Sequence, residues 1–291
     1  MGETGRRKHG ARDSAIGEQV RIDLLDNGYL EFIESYGSDE RVVEAARMST
    51  GKGFQGWGPV HDKACNSVTM SCDCDGDDCV KCSHYPALPN YAELVACNCT
   101  PTSGDEKLLA YLWNNKHATP FEMAGMVIEV QAPIFVFREW HRHRTQSYNE
   151  LSARYTPLPD MNYVPSIERL MVGAGGSNKQ AGTVVGAETL TEDWASVFRR
   201  KLQHRYDACE GLYQDALAAG VPKELARLIV PVGRYSRMRA SANLRNWLAF
   251  LTLRMAPNAQ WEIRQYANAV GEMIAQKFPR TWQLFIGETV K

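Results

Sequence analysis

The sequence predicts an α+β fold, in which a small, mostly antiparallel sheet packs against several long helices within a single domain. Two stretches show the residue alternation of β-strands, one near the beginning of the chain and one near its middle. From residue 189 onward, apolar side chains recur instead at helical spacing. With 291 residues, the chain is long enough to bury a sizeable core, so we expect one large domain.

The strand signals are strongest in two places. Residues 20–34 read as a strand, an Asn-Gly turn at residues 27–28, and a second strand. Residues 126–131 alternate apolar and polar side chains, which is typical of a strand with one buried face. These segments are the predicted sheet.

Helical spacing accounts for most of the remaining chain. Pro133 suits the first turn of a helix that continues through Trp140 into the segment after it, and Pro279 is expected to end the last helix. The other predicted helices cover approximately residues 39–49, 106–115, 223–230, 240–255 and 259–278.

A long helix is predicted between a capping box at Thr189 and Glu192 and a terminating Gly220. Its apolar side chains form one stripe, which predicts a face buried in the core. The stripe consists of Trp194, Phe198, Leu202, Tyr206, Cys209, Tyr213 and Ala216.

The charge balance excludes a general polyanion binder. Lys and Arg total 33 against 34 Asp and Glu, for a net charge of −1, so any basic site must be local. No apolar stretch approaches the roughly 20 residues of a membrane span, and no signal-peptide core is evident. We therefore expect a cytoplasmic protein without membrane or nucleic-acid partners. Residues 1–18 are polar and are predicted to be a disordered arm before a catalytic domain at 19–291.

The cysteines mark a local insert at residues 50–103. Seven of the eight lie between residues 65 and 99, within a segment that lacks periodicity. Tetrahedral zinc takes thiolate ligands, so a structural zinc site is one interpretation. Reduced thiols and adventitious disulfides are the alternatives, and calcium bound by the Asp run is weaker because the loop lacks the later Glu. The candidate zinc ligands are Cys72, Cys74, Cys79 and Cys82.

The run at residues 138–155 concentrates arginines and histidines more than any other part of the chain. Arginines this close repel one another, so an anion is expected among them. A solvated basic helix or a nucleic-acid strip would be the ordinary interpretation. The interleaved Glu139 and Glu150, and the aromatic Trp140, Tyr148 and Tyr155, argue against both.

Within this run, Arg142-His-Arg-x-x-Ser147-x-Asn149-Glu150-x-Ser152-x-Arg154-Tyr155 resembles the signature of the flavin-dependent thymidylate synthases. A second family pattern, His-x-Thr-Pro-Phe-Glu, begins at His117. A third block at 220–231 contains Arg227, and residues 45–49 resemble the family's first flavin-contacting corner. The resemblance covers roughly residues 20–49 and 104–285.

The resemblance implies reductive methylation of dUMP to dTMP, with FAD as cofactor, methylene-tetrahydrofolate as carbon donor and NADPH as reductant. The implied FAD-binding residues are Ser49, His117, Thr119, Arg142, His143, Arg144, Glu150, Asn243 and Arg245. The implied dUMP-binding residues are Glu139, Arg142, Glu150, Leu151, Ser152, Ala153, Arg154, Arg227 and Arg254. Arg254 is the implied catalytic residue, which polarises the uracil.

The resemblance also implies a homotetramer whose active sites combine residues of several subunits. No protein nucleophile is expected, because Cys209 is the only cysteine outside the insert and is predicted to lie in the core. The sequence departs from the commoner family pattern at three positions. Glu139 replaces a Gln, Ala249 an Asn and Asn258 a His. Two other hypotheses remain open: a nucleic-acid-binding protein with a zinc insert, and a catalytically inactive synthase-like scaffold.

Overall fold

The computed structural model describes residues 20–57, 60–61, 101–102, 104–172 and 190–289 of the chain. Its main feature is a five-stranded antiparallel sheet, which confirms the predicted α+β class. The strands of this sheet are Arg21–Leu24 (β1), Gly28–Tyr36 (β2), Gly125–Pro133 (β5), Ser147–Glu150 (β6) and Tyr235–Asn243 (β7). Their order across the sheet is β1-β2-β5-β7-β6. A separate pair consists of Val60–His61 (β3) and Pro101–Thr102 (β4).

The described residues also form helices. They are Asp39–Arg47 (α1), Asp105–Asn114 (α2), Ile134–Trp140 (α3), Ile167–Met171 (α4), Glu192–Ala218 (α5), Lys223–Ala226 (α6), Leu244–Arg254 (α7), Trp261–Lys277 (α8) and Pro279–Thr289 (α9). Short 3-10 turns lie at Met48–Thr50, Thr119–Glu122 and Arg227–Ile229.

The core lies between one face of the sheet and α7 and α8. Met126, Ile128 and Val130 of β5 are fully buried and alternate with the partly exposed Val127 and Glu129, so the predicted buried face is confirmed. Tyr266 of α8 lies beneath the sheet, and its hydroxyl donates to the carbonyl oxygen of Gln131 (2.8 Å).

Strands β6 and β7 were not predicted, and the helix expected from residue 240 begins at Leu244 instead. In β7, the buried residues alternate with the exposed Arg237 and Arg239. Small residues occupy several of the buried positions, so buried and exposed positions differ little in hydrophobicity and the alternation is weak in the sequence. Helix α3 likewise ends at Trp140 and does not continue into the following run. Pro279 ends α8 as predicted but also begins α9, which was not predicted.

The prediction for α5 is wrong in two respects. Its cap is Thr191, whose hydroxyl accepts from the Trp194 N–H, and the helix begins at Glu192. Of its residues only Ala195 and Tyr213 are buried, whereas Trp194 is 53% exposed and Cys209 is half-buried. Trp194 and Phe198 of the predicted stripe are therefore exposed, whereas Tyr213 is its one fully buried member.

Two predictions fall outside the described residues: the arm at 1–18, and the zinc site of Cys72, Cys74, Cys79 and Cys82 in the 50–103 insert. Within the described residues, no group of three or more His, Cys, Asp or Glu side chains could hold a metal ion. Nor does that part of the chain contain a helix that is both long and apolar enough to span a membrane.

Candidate active site

The arginine-rich run folds as the end of a helix, a turn and a short strand. Trp140, the last residue of α3, is buried, and its indole N–H donates to Oε1 of Gln146 (3.0 Å). The hydroxyl of Tyr148 donates to the carbonyl oxygen of His143 (2.7 Å). These two bonds fix residues 141–146 as a compact turn. Arg142 and Arg144 consequently point outward, and neither forms an ion pair with another described residue.

Arginines from separate segments meet in a cleft of about 470 Å³, which we call the arginine cleft. It is lined by Ile134, Phe137, Arg138, His141, Glu150, Leu151, Ser152, Arg154 and Arg227. Within the described chain, none of the three arginines is paired with a carboxylate. Arg154 Nε donates only to the Ser152 hydroxyl (3.4 Å), and Arg227 Nε only to the Glu224 carbonyl oxygen (3.3 Å). Guanidinium groups without carboxylate partners favour an anionic ligand.

The strand β6 and the loop after it form one wall of the arginine cleft. Glu150 pairs with Met238 of β7, and the N–H of Leu151 donates to the carbonyl oxygen of Arg237 (2.8 Å). Lys223 at the start of α6 donates through Nζ to the carbonyl oxygen of Tyr155 (2.9 Å). This bond joins the loop to the segment with Arg227, so the two walls are held together. Ala153 between them is buried.

Arg254 lies at the end of α7 and belongs to a different cluster, the Arg254 clamp, formed with Glu139 and His143. Its Nη1 donates to Oε2 of Glu139 (2.7 Å), its Nη2 to the Glu139 carbonyl oxygen (2.8 Å), and its Nε to His143 Nε2 (2.9 Å). Burial, followed by the charge of Arg254, lowers the pKa of His143 to about 4, and Glu139 opposes that shift. His143 is therefore neutral near pH 7 and can accept at Nε2. Neither Arg254 nor Glu139 lines the arginine cleft of the same chain.

A second cleft of about 470 Å³, the aromatic cleft, brings together His117, Arg245 and Ala249. Its remaining lining residues are Leu112, Trp113, Lys116, Ala118, Phe121, Leu248, Thr252 and Phe285. Arg245 also pairs with Glu122 at the end of the neighbouring 3-10 turn (2.6 Å). Aromatic walls beside cationic side chains suit a ligand with a flat ring and a phosphate.

Three other residues implied to bind flavin lie outside the lining of both clefts. Ser49 is exposed in the turn after α1, where its hydroxyl donates to the Ala46 carbonyl oxygen (3.0 Å). Thr119 is exposed at the beginning of its 3-10 turn. Asn243 caps α7 by accepting from the Asn246 N–H (2.9 Å). The structure thus distributes the residues among the two clefts, the Arg254 clamp and the surface.

Comparison with known proteins decides the family. Residues 31–280 match the family described as Thymidylate synthase complementing protein. The flavin-dependent thymidylate synthase of Thermus thermophilus is 33% identical over 91% of this chain and 78% of that protein. The enzyme of Thermosipho africanus is 31% identical over 92% of this chain and 94% of that protein. The chain belongs to the flavin-dependent thymidylate synthase family.

A solved structure agrees with this assignment. The UMP/dUMP methylase PolB from Streptomyces cacaoi, bound with 5-Br UMP, superposes with a TM-score of 0.65 and 27% identity. The match covers 91% of this chain and 96% of that chain. The family resemblance and the expectation of an enzyme are confirmed.

Arg138 and His141 of this synthase-family chain were missed as site residues, although both line the arginine cleft. They lie three positions apart on α3 and its end, so they share one helix face. That spacing was visible in the sequence. What the sequence did not show is that this face meets Arg227, which is distant along the chain.

Proposed function

We propose that this chain catalyses the FAD-dependent reductive methylation of dUMP to dTMP. Methylene-tetrahydrofolate is the carbon donor and NADPH the reductant. The observation that carries the proposal is the arginine cleft, whose cations match a nucleotide phosphate. Family membership and the UMP/dUMP methylase neighbour support the pyrimidine nucleotide as substrate.

In this proposal, Arg154 and Arg227 bind the phosphate dianion of dUMP, and Arg138 adds a third cation at the same cleft. Arginine offers paired N–H donors that match phosphate oxygens, and it remains charged at any relevant pH. Ser152 donates a hydroxyl, and Leu151 and Ala153 fix the backbone around the ligand. Arg142, Glu150 and Arg254 complete the proposed substrate-binding set.

Arg254 is the proposed catalytic residue. A fixed guanidinium beside the pyrimidine stabilises negative charge that develops on the ring during reduction. The described residues that line the arginine cleft include no cysteine, and Cys209 lies on α5 outside that lining. We propose a reaction without a protein nucleophile, as the family resemblance implies.

The proposed FAD-binding residues are Ser49, His117, Thr119, Arg142, His143, Arg144, Glu150, Asn243 and Arg245. The donor set fits the cofactor, because the exposed Arg142 and Arg144 can neutralise a diphosphate and the aromatic cleft can pack a planar ring. FAD, once bound and reduced by NADPH, would supply the hydride that the methylation requires. Within this chain, the residues named bind and orient the cofactor.

We also propose a homotetramer with shared active sites. The support is the separation of the catalytic residues, because Arg254 does not line the arginine cleft of its own chain. The exposed side chains of Trp194 and Phe198 on α5 offer an apolar surface that a second copy could cover. Light scattering of the purified protein tests this assembly. A monomer that turns over dUMP would contradict it.

The proposed reaction is tested by chromatography of the products formed from dUMP, with FAD, NADPH and methylene-tetrahydrofolate omitted one at a time. We expect dTMP only from the complete mixture. Arg227→Gln should raise KM for dUMP at least tenfold, whereas Arg199→Gln on the exposed surface of α5 should not. Flavin binding without product would support the inactive scaffold, and tight binding of RNA or DNA with no flavin uptake would support the nucleic-acid hypothesis.

A further inference from the structure

The Arg254 clamp fixes a guanidinium more completely than an ordinary surface ion pair does. Glu139 contributes two acceptors, its carboxylate to Nη1 and its backbone carbonyl oxygen to Nη2. His143 accepts from Nε on the third side. Acceptors on all three nitrogens leave the guanidinium plane little freedom to rotate.

The clamp also leaves part of Arg254 available. A guanidinium has five N–H donors, and three of those of Arg254 are engaged by described residues. One N–H on each terminal nitrogen remains for a ligand, as far as the described residues show. The Arg254 side chain is 15% exposed, so these donors lie at the edge of the protein. Their direction depends on the groups that hold the guanidinium.

Glu139 is one of the positions at which the sequence departs from the family resemblance, which implies a Gln there. A carboxylate only accepts hydrogen bonds, and its bond to a guanidinium is charge-assisted and therefore stronger than that of an amide oxygen. Both carboxylate and amide would place an oxygen near Nη1. The Glu139 carboxylate accepts from Arg254, and Glu139 does not line the arginine cleft.

We propose that Glu139 is a positioning residue, which orients Arg254 toward the pyrimidine and does not itself contact the nucleotide. The inference rests on the proposed function, because it gives the oriented guanidinium a substrate to act upon. It differs from the family-derived expectation, in which residue 139 binds dUMP directly. The geometry assigns it instead to the arginine.

Steady-state kinetics of two Glu139 variants test this role. In Glu139→Ala, the Nη1 partner is lost, and kcat should fall about tenfold while KM for dUMP changes less than twofold. Glu139→Gln keeps an acceptor and should recover kcat to within about threefold of the wild type. The matched control is Glu106→Ala, because Glu106 is 45% exposed against 42% for Glu139 and also pairs with an arginine, Arg280. That control should leave kcat unchanged.

A spectroscopic measurement separates this inference from the proposed function. The Nη1–H resonance of Arg254, assigned by its loss in Arg254→Lys, should be resolved in the wild type and in Glu139→Gln, because this N–H donates to the residue 139 side chain. In Glu139→Ala it should broaden or exchange rapidly with water. An unchanged resonance and an unchanged kcat in Glu139→Ala would overturn the positioning role, as would a tenfold rise in KM alone. A wild type without turnover would refute the proposed function, while the resonance would still decide the role of Glu139.

Discussion

The contribution of Arg234 to stability tests how the loop around residues 159–162 is anchored to the rest of the fold. Its side chain is fully buried and pairs with Glu210 of α5, whose side chain is 12% exposed. It also donates to the carbonyl oxygen of Pro159 (3.0 Å) and to Oδ1 of Asn162 (3.3 Å). Arg234 therefore joins α5 to the loop that follows the cleft residues.

Arg234→Met removes the cation and leaves Glu210 almost buried without its main partner. Breaking a buried pair in this way costs about 3–5 kcal/mol, because the remaining charge is not solvated. At roughly 2–4 °C per kcal/mol for a chain of this size, the melting temperature should fall by about 6–20 °C. Calorimetry at a fixed protein concentration measures this change.

Two companion variants make the Arg234 prediction refutable. Replacing both partners, as Arg234→Met with Glu210→Leu, should recover most of the loss, because no uncompensated charge remains. Arg41→Met breaks the exposed pair with Glu44, where we expect a change within about 0.5 kcal/mol. Equal melting temperatures for Arg234→Met and Arg41→Met would refute the claim that burial makes the Arg234–Glu210 pair costly to break.

Two other predictions concern His143 and Gly28. Because the pKa of His143 is lowered to about 4 in the folded chain, the unfolded ring protonates first as the pH falls below about 6.5. The free energy of unfolding should therefore decline by about 1–2 kcal/mol between pH 6.5 and 4, a figure reduced for solvent screening because the ring is only half-buried. His143→Gln should remove this contribution of His143 to the pH dependence. Urea unfolding at several pH values checks this, and equal pH dependence in both proteins would contradict it. At Gly28, a Cβ would lie 2.0 Å from the Tyr266 hydroxyl oxygen and 2.8 Å from the Leu24 carbonyl oxygen, so Gly28→Ala should cost about 1–3 kcal/mol. Gly211→Ala, with nothing within 4 Å of the added Cβ, should not destabilise the helix, and a comparable loss in both variants would refute the steric argument.

The part of the fold that the sequence predicted correctly depends on local signals. The hairpin of β1 and β2 was predicted correctly because an Asn-Gly pair separates two alternating segments, but the turn lies at residues 25–27 and Gly28 already belongs to β2. Strand β5 was found because its buried positions carry large apolar residues. In β7 the two-residue alternation of burial is also present, but the buried positions include small residues and the exposed ones are arginines, so the sequence shows little hydrophobic contrast. The helical pattern of α7 directly after it led to the prediction of a helix that begins too early.

The composition of the site was predictable, and its arrangement was not. The spacing in 142–155 identified the residue types, since anion binding requires arginines and hydroxyl groups. It could not show that Arg138 shares a cleft with Arg227, or that Glu139 pairs with Arg254, because the latter two are 115 residues apart. The burial of Arg234 depends in the same way on contacts between distant segments, and no local pattern indicates it.

The most direct test of the central claim is tritium release from dUMP labelled at C5. Methylation at C5 must displace the label, so release reports the bond change itself and needs no assumption about later steps. We predict release by the wild-type protein supplied with FAD, NADPH and methylene-tetrahydrofolate, and much slower release by Arg254→Ala that still binds flavin. No release by the flavin-loaded wild type in the complete mixture would contradict the account.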